Sequence, residues 1–198
     1  VHEVDKGPNT YVLSGGDWYE IANSFASKTR KKVKDNVATC PIKFPKYAHT
    51  NENDYNSKVS AVEGWACMDA DEVDQTEVCD CFTPSRQFVH VKRKTKSATL
   101  SHLFNQGVVS AERFMGEATF RDGVRDKLAK SYGHKFAKLI PKDRPRGNDF
   151  EIAYAIVTKA TAKWPQSLPF FSILSLSNAA DRLTRMSYRV TLGRIDPA

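Results

Sequence analysis

"TEVCDCFTPSRQFVHVKRKTKSATLSHLF", residues 76–104, is the stretch on which the fold turns. Two apolar runs, "TEVCDCF" and "QFVHVKRK", flank the turn signal Thr83-Pro84-Ser85 and read as paired buried strands. Residues two apart share a strand face, so His90 and Lys92 project side by side, and Asp80, near the end of the first strand, comes within reach of that lysine. "SATLSHLFNQGVVSAERFM" then reads as a helix that stops or breaks near Gly107, with Ser110 capping a second one. Such a segment is either the edge of a site built around a metal and a phosphate, or an ordinary hairpin with a basic rim.

Working outward, "TYVLSGGDWYEIA" reads as two short strands turned at Ser14-Gly15-Gly16-Asp17. "NSFASKTRKKVKDNVA" is expected to be a helix with a basic face, capped by Asn23 or Ser24, and "NENDYNSKVSAVEG" a helix opened by Asn51 or its neighbours. Pro41 and Pro45 mark the loop between them. "WACMDADEV" suggests a strand with an acidic turn, and "EATFRDGVRDKLAKSYG" a further helix. "FEIAYAIVTKA" is the longest apolar strand, and "LPFFSILSLS", "NAADRLTRMS" and "YRVTLGRI" close the chain as strand, helix and strand. The expected architecture is an α/β (α+β) domain, a mixed central sheet flanked by helices, over residues 1–198.

The 198 residues are enough for one well-buried core, and 40% apolar with 27% charged residues excludes a disordered or fibrous chain. No apolar run approaches the roughly 18–20 residues that cross a bilayer, so a soluble cytoplasmic protein without membrane contact is expected. Thirty basic against 23 acidic residues give a net charge of +7, which favours an anionic partner such as nucleic acid. Cys40, Cys67, Cys79 and Cys81 lack the paired spacing of a zinc site and read as buried thiols, with Cys79 and Cys81 sharing a strand face. A start at Val1, followed at once by a strand pattern, suggests part of a longer polypeptide.

A carboxylate beside a lysine suits metal-dependent phosphodiester cleavage. Hard oxygens hold Mg²⁺ or Mn²⁺, and the ammonium group positions or activates the nucleophile. A helix bearing an acid, a strand bearing Asp, a strand bearing x-x-Lys and a following helix resemble the restriction-endonuclease-like fold with its PD-(D/E)XK motif. That resemblance implies Asp80 as the first motif acid, Lys92 as the motif lysine and Glu52 of "NENDYN" as the helix acid, with the metal held by Glu52, Asp80 and the Val91 carbonyl. His90 falls where that family carries Asp or Glu, a departure that disfavours Mg²⁺ and gives the imidazole an unusual ligand or phosphate-contact role. Arg93, Lys94 and Lys96, with Ser97, Ser101, His102 and Gln106 on the following helix, would form the nucleic-acid rim. "YVLSGGDWYEI", "NDYN", "VCDCF", "HVKRKTKSATLSHLFNQGVVSAERF" and "LPFFSILSLSNAADRL" further resemble a sporadically distributed bacterial family of uncharacterised function, found among mobile elements and defence-related neighbourhoods. That likeness spans nearly the whole chain and implies the carboxy-terminal half of a longer protein.

Each residue also has a plainer reading. Asp80 can be a strand-end acid paired with a lysine, Lys92 a member of a solvated charge run, His90 a hydrogen-bonded core histidine and Glu52 a first-turn helix acid. Gly15-Gly16 lacks the remainder of a phosphate loop, and Ser101-His102 lacks a nucleophile elbow. The joint order of the four residues favours a metal-dependent nuclease-like domain acting on DNA ahead of RNA, in defence against foreign DNA. The alternatives are a cleavage-dead nucleic-acid-binding module and a protein-interaction domain, as a homo-oligomer or within a larger defence complex.

Overall fold

A computed structural model describes residues 2–198 except 8, 15, 50, 70, 71, 96, 162 and 163. Its centre is a six-stranded mixed sheet in the order β4-β11-β10-β9-β8-β5. The three long strands β9 (Gln87–Arg93), β10 (Glu151–Val157) and β11 (Arg189–Ile195) run parallel and in register, while β8 (Cys81–Phe82) and β5 (Ala66–Cys67) complete one side in antiparallel fashion. β4 (Ala38–Thr39) closes the other edge.

Alternation along β10 explains the two layers. Ile152, Tyr154 and Ile156 face a large core formed with α3 (Ser97–Gly116), α4 (Ala118–Tyr132) and α6 (Phe170–Arg185). Ala153, Ala155 and Val157 face a smaller core with α2 (Glu52–Glu63) and the 40–47 segment. Every residue of β10 is buried, the pattern of a strand covered on both faces. α1 (Asn23–Asn36) packs beside α6, and Val33 enters the larger core. A separate antiparallel meander precedes α1: β1 (His2–Lys6), β2 (Asn9–Ser14) and β3 (Asp17–Ile21). Gly15 of its expected turn lies outside the described residues.

Several local expectations are corrected. "LPFFSILSLS" is not a strand but the front of α6, where buried Phe170, Ile173, Leu176, Ala180 and Leu183 recur at helical spacing. A short apolar run cannot be assigned by periodicity alone. Here Glu3 supplies what the sequence hides, since its carboxylate accepts the Phe170 and Phe171 N–H groups at 2.6 and 3.0 Å and caps the helix from a remote strand. α3 runs unbroken through Gly107, which is present for room rather than as a stop: a Cβ there would lie 2.5 Å from the Tyr154 hydroxyl. That hydroxyl donates to the Phe104 carbonyl at 2.9 Å. Ser110 caps nothing and donates to the Val78 carbonyl at 2.6 Å. α1 starts after Ala22 without a side-chain cap, whereas Asn51 caps α2 as expected, accepting from the Asp54 N–H at 2.9 Å.

"WACMDADEV" and "TEVCDCF" are each broken into two-residue ladders. β6 (Glu72–Val73) and β7 (Thr76–Glu77) form a hairpin whose turn residues Asp74 and Gln75 have positive φ. Cys79 sits in the larger core and Cys81 in the smaller, so they do not share a face, because the backbone bends between them at Asp80. All four cysteines are free thiols. Among the described residues no helix is long and apolar enough to cross a membrane.

Gly107→Ala should force α3 away from Tyr154 and cost about 1–3 kcal/mol, the range for overpacking a well-filled core. Urea denaturation measures it; an unchanged midpoint would show that the helix has slack at this contact.

Candidate functional site

The register that pairs Cys81 with Val89 would, if continued, set Cys79 opposite Val91. It does not continue. Asp80 turns its carboxylate into the ladder, and Oδ2 accepts the Val91 N–H at 2.6 Å. Asp80 N–H still donates to the Val89 carbonyl, and the Asp80 carbonyl accepts from Met68 N–H. A buried carboxylate is thereby fixed beside β9, one residue before Lys92.

α2 meets this bend with two side chains one helical turn apart. Asn56 Nδ2 donates to Asp80 Oδ1 at 3.1 Å and to Asp69 Oδ2 at 3.2 Å, so one amide nitrogen sits between two carboxylates. Glu52 Oε2 accepts from Lys92 Nζ at 2.7 Å, and its Oε1 accepts the Arg93 N–H at 2.9 Å. Asp80 and Lys92 thus both reach α2, at the carboxyl end of the parallel strands, where α/β sheets commonly bind ligands. Gln106 on α3 donates to Glu77 Oε2 at 2.5 Å and brings a fourth acid to the group.

Electrostatically the cluster is strained. Burial raises the Asp80 pKa to about 8, helped by Glu77 and Asp69 and opposed by the Val91 N–H and Lys92. Glu77 is raised by burial and by Asp69. For Lys92, burial works against the charge, but Glu52, Asp80 and Glu77 more than offset it and raise its pKa. Asp80 and Glu77, raised first by burial and then by neighbouring acids, are groups that a cation would relieve.

The remaining expected residues divide by position. His90 is 1% exposed on the α3 side, its ring 5.8 Å from that of Tyr154, with neither nitrogen hydrogen-bonded among the described residues. Burial lowers its pKa to about 4, so it is a neutral core side chain at pH 7. Val91 takes part through its N–H, and its side chain lies in the smaller core. Ser101 turns to α6, its Oγ 2.9 Å from Ser175 Oγ, while His102 lines a cavity with Glu77 and Gln106. The exposed Arg93 lays its guanidinium over Tyr47, and half-buried Lys94 donates its N–H to the Val157 carbonyl. Lys96 and the side chain of Ser97 lie outside the described residues.

Sequence reading missed Asp69, Asn56 and Glu77. Asn56 carried a signal, being four residues after Glu52 on the same helical face; Asp69 was hidden in what read as an acidic turn. Among the described residues no three His, Cys, Asp or Glu side chains converge closely enough to hold a metal ion. Asp69 Oδ2 and Asp80 Oδ1 are hard oxygen donors of the type a divalent ion takes, and here both accept from the Asn56 amide nitrogen.

Residues 1–196 match the model of a family described as a family of unknown function (DUF6119), and the chain belongs to that family. No curated protein and no solved structure matches it.

The unfolded chain releases the Asp80 proton near 3.8 and the folded chain holds it to about 8. The folded form therefore binds the extra proton between those values, and stability falls as pH rises through that window. Asp80→Asn should flatten this part of a Tm–pH profile recorded in EDTA from pH 4 to 9. An unchanged slope in the variant would mean that Asp80 is ionised throughout.

Proposed function

We propose that this member of a family of unknown function is a metal-dependent nuclease-like domain that hydrolyses phosphodiesters in DNA. The observation that carries the reading is the Asn56 amide nitrogen held between Asp69 and Asp80, with the Lys92 ammonium anchored alongside by Glu52. The order of parts supports it too: a helix with Glu52, the bend with Asp80, the strand with Lys92, then α3. That order parallels the PD-(D/E)XK arrangement, with one difference: Asp69, rather than a residue at position 90, stands as the second acid.

In this reading Asp69 and Asp80 would hold Mg²⁺ or Mn²⁺. The ion, when bound, supplies Lewis acidity toward a phosphoryl oxygen and a water of lowered pKa. Lys92 donates one N–H to Glu52, which fixes the ammonium in position while raising its pKa, and has two further N–H donors to offer the phosphate and its attacking water. Asn56 aligns both carboxylates. His90 belongs to the core. Arg93, exposed at the end of β9, and Lys94 beside it lie where the backbone of a bound strand would pass. Defence against foreign DNA, in the cytoplasm, is the setting that the family resemblance implies.

One observation favours a second reading. Both Glu52 oxygens are already taken by Lys92 and the Arg93 N–H, which suits a module that keeps the architecture and binds nucleic acid without cutting it.

Incubation with plasmid DNA and with RNA, in Mg²⁺, Mn²⁺ or EDTA, tests the proposal. DNA should be cleaved only with the metal, and Asp69→Asn, Asp80→Asn and Lys92→Ala should each lower the rate by on the order of 100-fold or more, typical for loss of a group that stabilises developing charge. Salt-sensitive DNA binding without any metal-dependent product establishes the second reading instead.

A further inference from the structure

At the opposite end of the parallel strands, the loop before β10 and the segment joining α6 to β11 border an open cleft of about 440 Å³. It lies within the range of roughly 300–1,000 Å³ that small-molecule sites occupy. Three exposed arginines, Arg144, Arg146 and Arg185, line it together with Asn148, Met115 and Met186. No acid is among the lining residues. None of the three arginines has an ion pair or side-chain hydrogen bond among the described residues, although nearby Arg189 is paired with Glu151 at 3.1 Å.

Arg185 alone would be unremarked, since a base in the last turn of a helix meets the negative end of its dipole. Arg144 and Arg146 have no such reason to be there. They stand on a loop that is pinned to the end of α6: a Cβ on Gly147 would lie 1.9 Å from the Met186 carbonyl oxygen. A 3-10 turn over Gly147–Asp149 closes with the Asp149 N–H on the Arg146 carbonyl and the Phe150 N–H on the Gly147 carbonyl. Ser187 across the contact holds a left-handed φ of 66°, a conformation that a non-glycine residue adopts at a cost. The pinned backbone therefore places three exposed arginines around one hollow, and an anion is what offsets their mutual repulsion.

We propose that this cavity binds a phosphate ester of the nucleotide kind, the guanidiniums of Arg144, Arg146 and Arg185 gripping the phosphate and the two methionines covering a base. Guanidinium forks match phosphate oxygens in pairs, and methionine adapts to flat apolar groups. The phosphate comes either from a free nucleotide or from a nucleic-acid strand. The site is independent of the cleavage reading: about 20 Å of strand, roughly six steps of about 3.3 Å between its first and last residues, separates the two ends of β10.

Calorimetry on the full chain carrying Lys92→Ala, with AMP, adenosine and a 12-nucleotide DNA strand as probes, tests this without interference from cleavage. AMP should bind at least about tenfold more tightly than adenosine, and Arg144→Gln, Arg146→Gln and Arg185→Gln should each weaken AMP at least about tenfold, the size expected for loss of a charge-assisted hydrogen bond. Arg→Lys at the same positions should weaken it less, and thermal melts identify any variant that has not folded. If only the strand binds and the Gln variants weaken it, the phosphate belongs to nucleic acid. Absence of binding by both AMP and the strand, or equal affinity in the parent and all Gln variants, overturns the proposal.

Discussion

The hydrogen bond from the Val91 N–H to the Asp80 carboxylate is the constraint from which the site follows. An antiparallel ladder normally ends when a neighbouring carbonyl runs out; here a side chain takes the carbonyl's place and bends the strand. Two consequences are structural. β8 is confined to two residues, and Cys79 and Cys81 fall into different cores. The third is electrostatic, because the Asp80 carboxylate drawn into the ladder is buried, and burial disfavours its charge.

α2 converts that local bend into a site. Its Asn51 cap and first turn place Glu52 and Asn56 over the carboxyl ends of the strands, and their partners lie on two successive features of the sheet. The ion pair of Glu52 with Lys92 is partly exposed and contributes modestly to stability. Its effect is on position and charge state, for it keeps the ammonium protonated beside acids that are held above their ordinary range. The cluster is thus assembled at some cost in free energy, as functional sites are and simple cores are not. The arginine-lined cavity at the other end of the sheet repeats that logic with the opposite sign, charge of one kind fixed around a hollow by a loop with no freedom to withdraw.

The architecture was legible in sequence wherever burial on both faces or a cap wrote a local pattern. "QFVHVKRK", "FEIAYAIVTKA" and "YRVTLGRI" became β9, β10 and β11, and Asn51 opened α2. It was illegible where a distant residue decides. "LPFFSILSLS" is helical because buried positions recur at its spacing and because Glu3 caps it, and Gly107 is a contact for Tyr154 rather than a break. In the site, Asp80, Lys92 and Glu52 could be named from order and strand period. His90 could not be placed, since alternation puts it beside Lys92 without saying that the strand passes under a helix at that point. Asp69 and Asn56 meet only in three dimensions.

Carboxyl ¹³C NMR of Asp80 across pH, without and with Mg²⁺, separates a cation-responsive carboxylate from a purely structural one. The midpoint should lie near 8 without metal and fall by at least about one unit when Mg²⁺ is added, accompanied by a shift of the Asn56 side-chain amide. A midpoint near 4 that ignores Mg²⁺ would contradict it, leaving Asp80 as a strand-bending residue and nothing more.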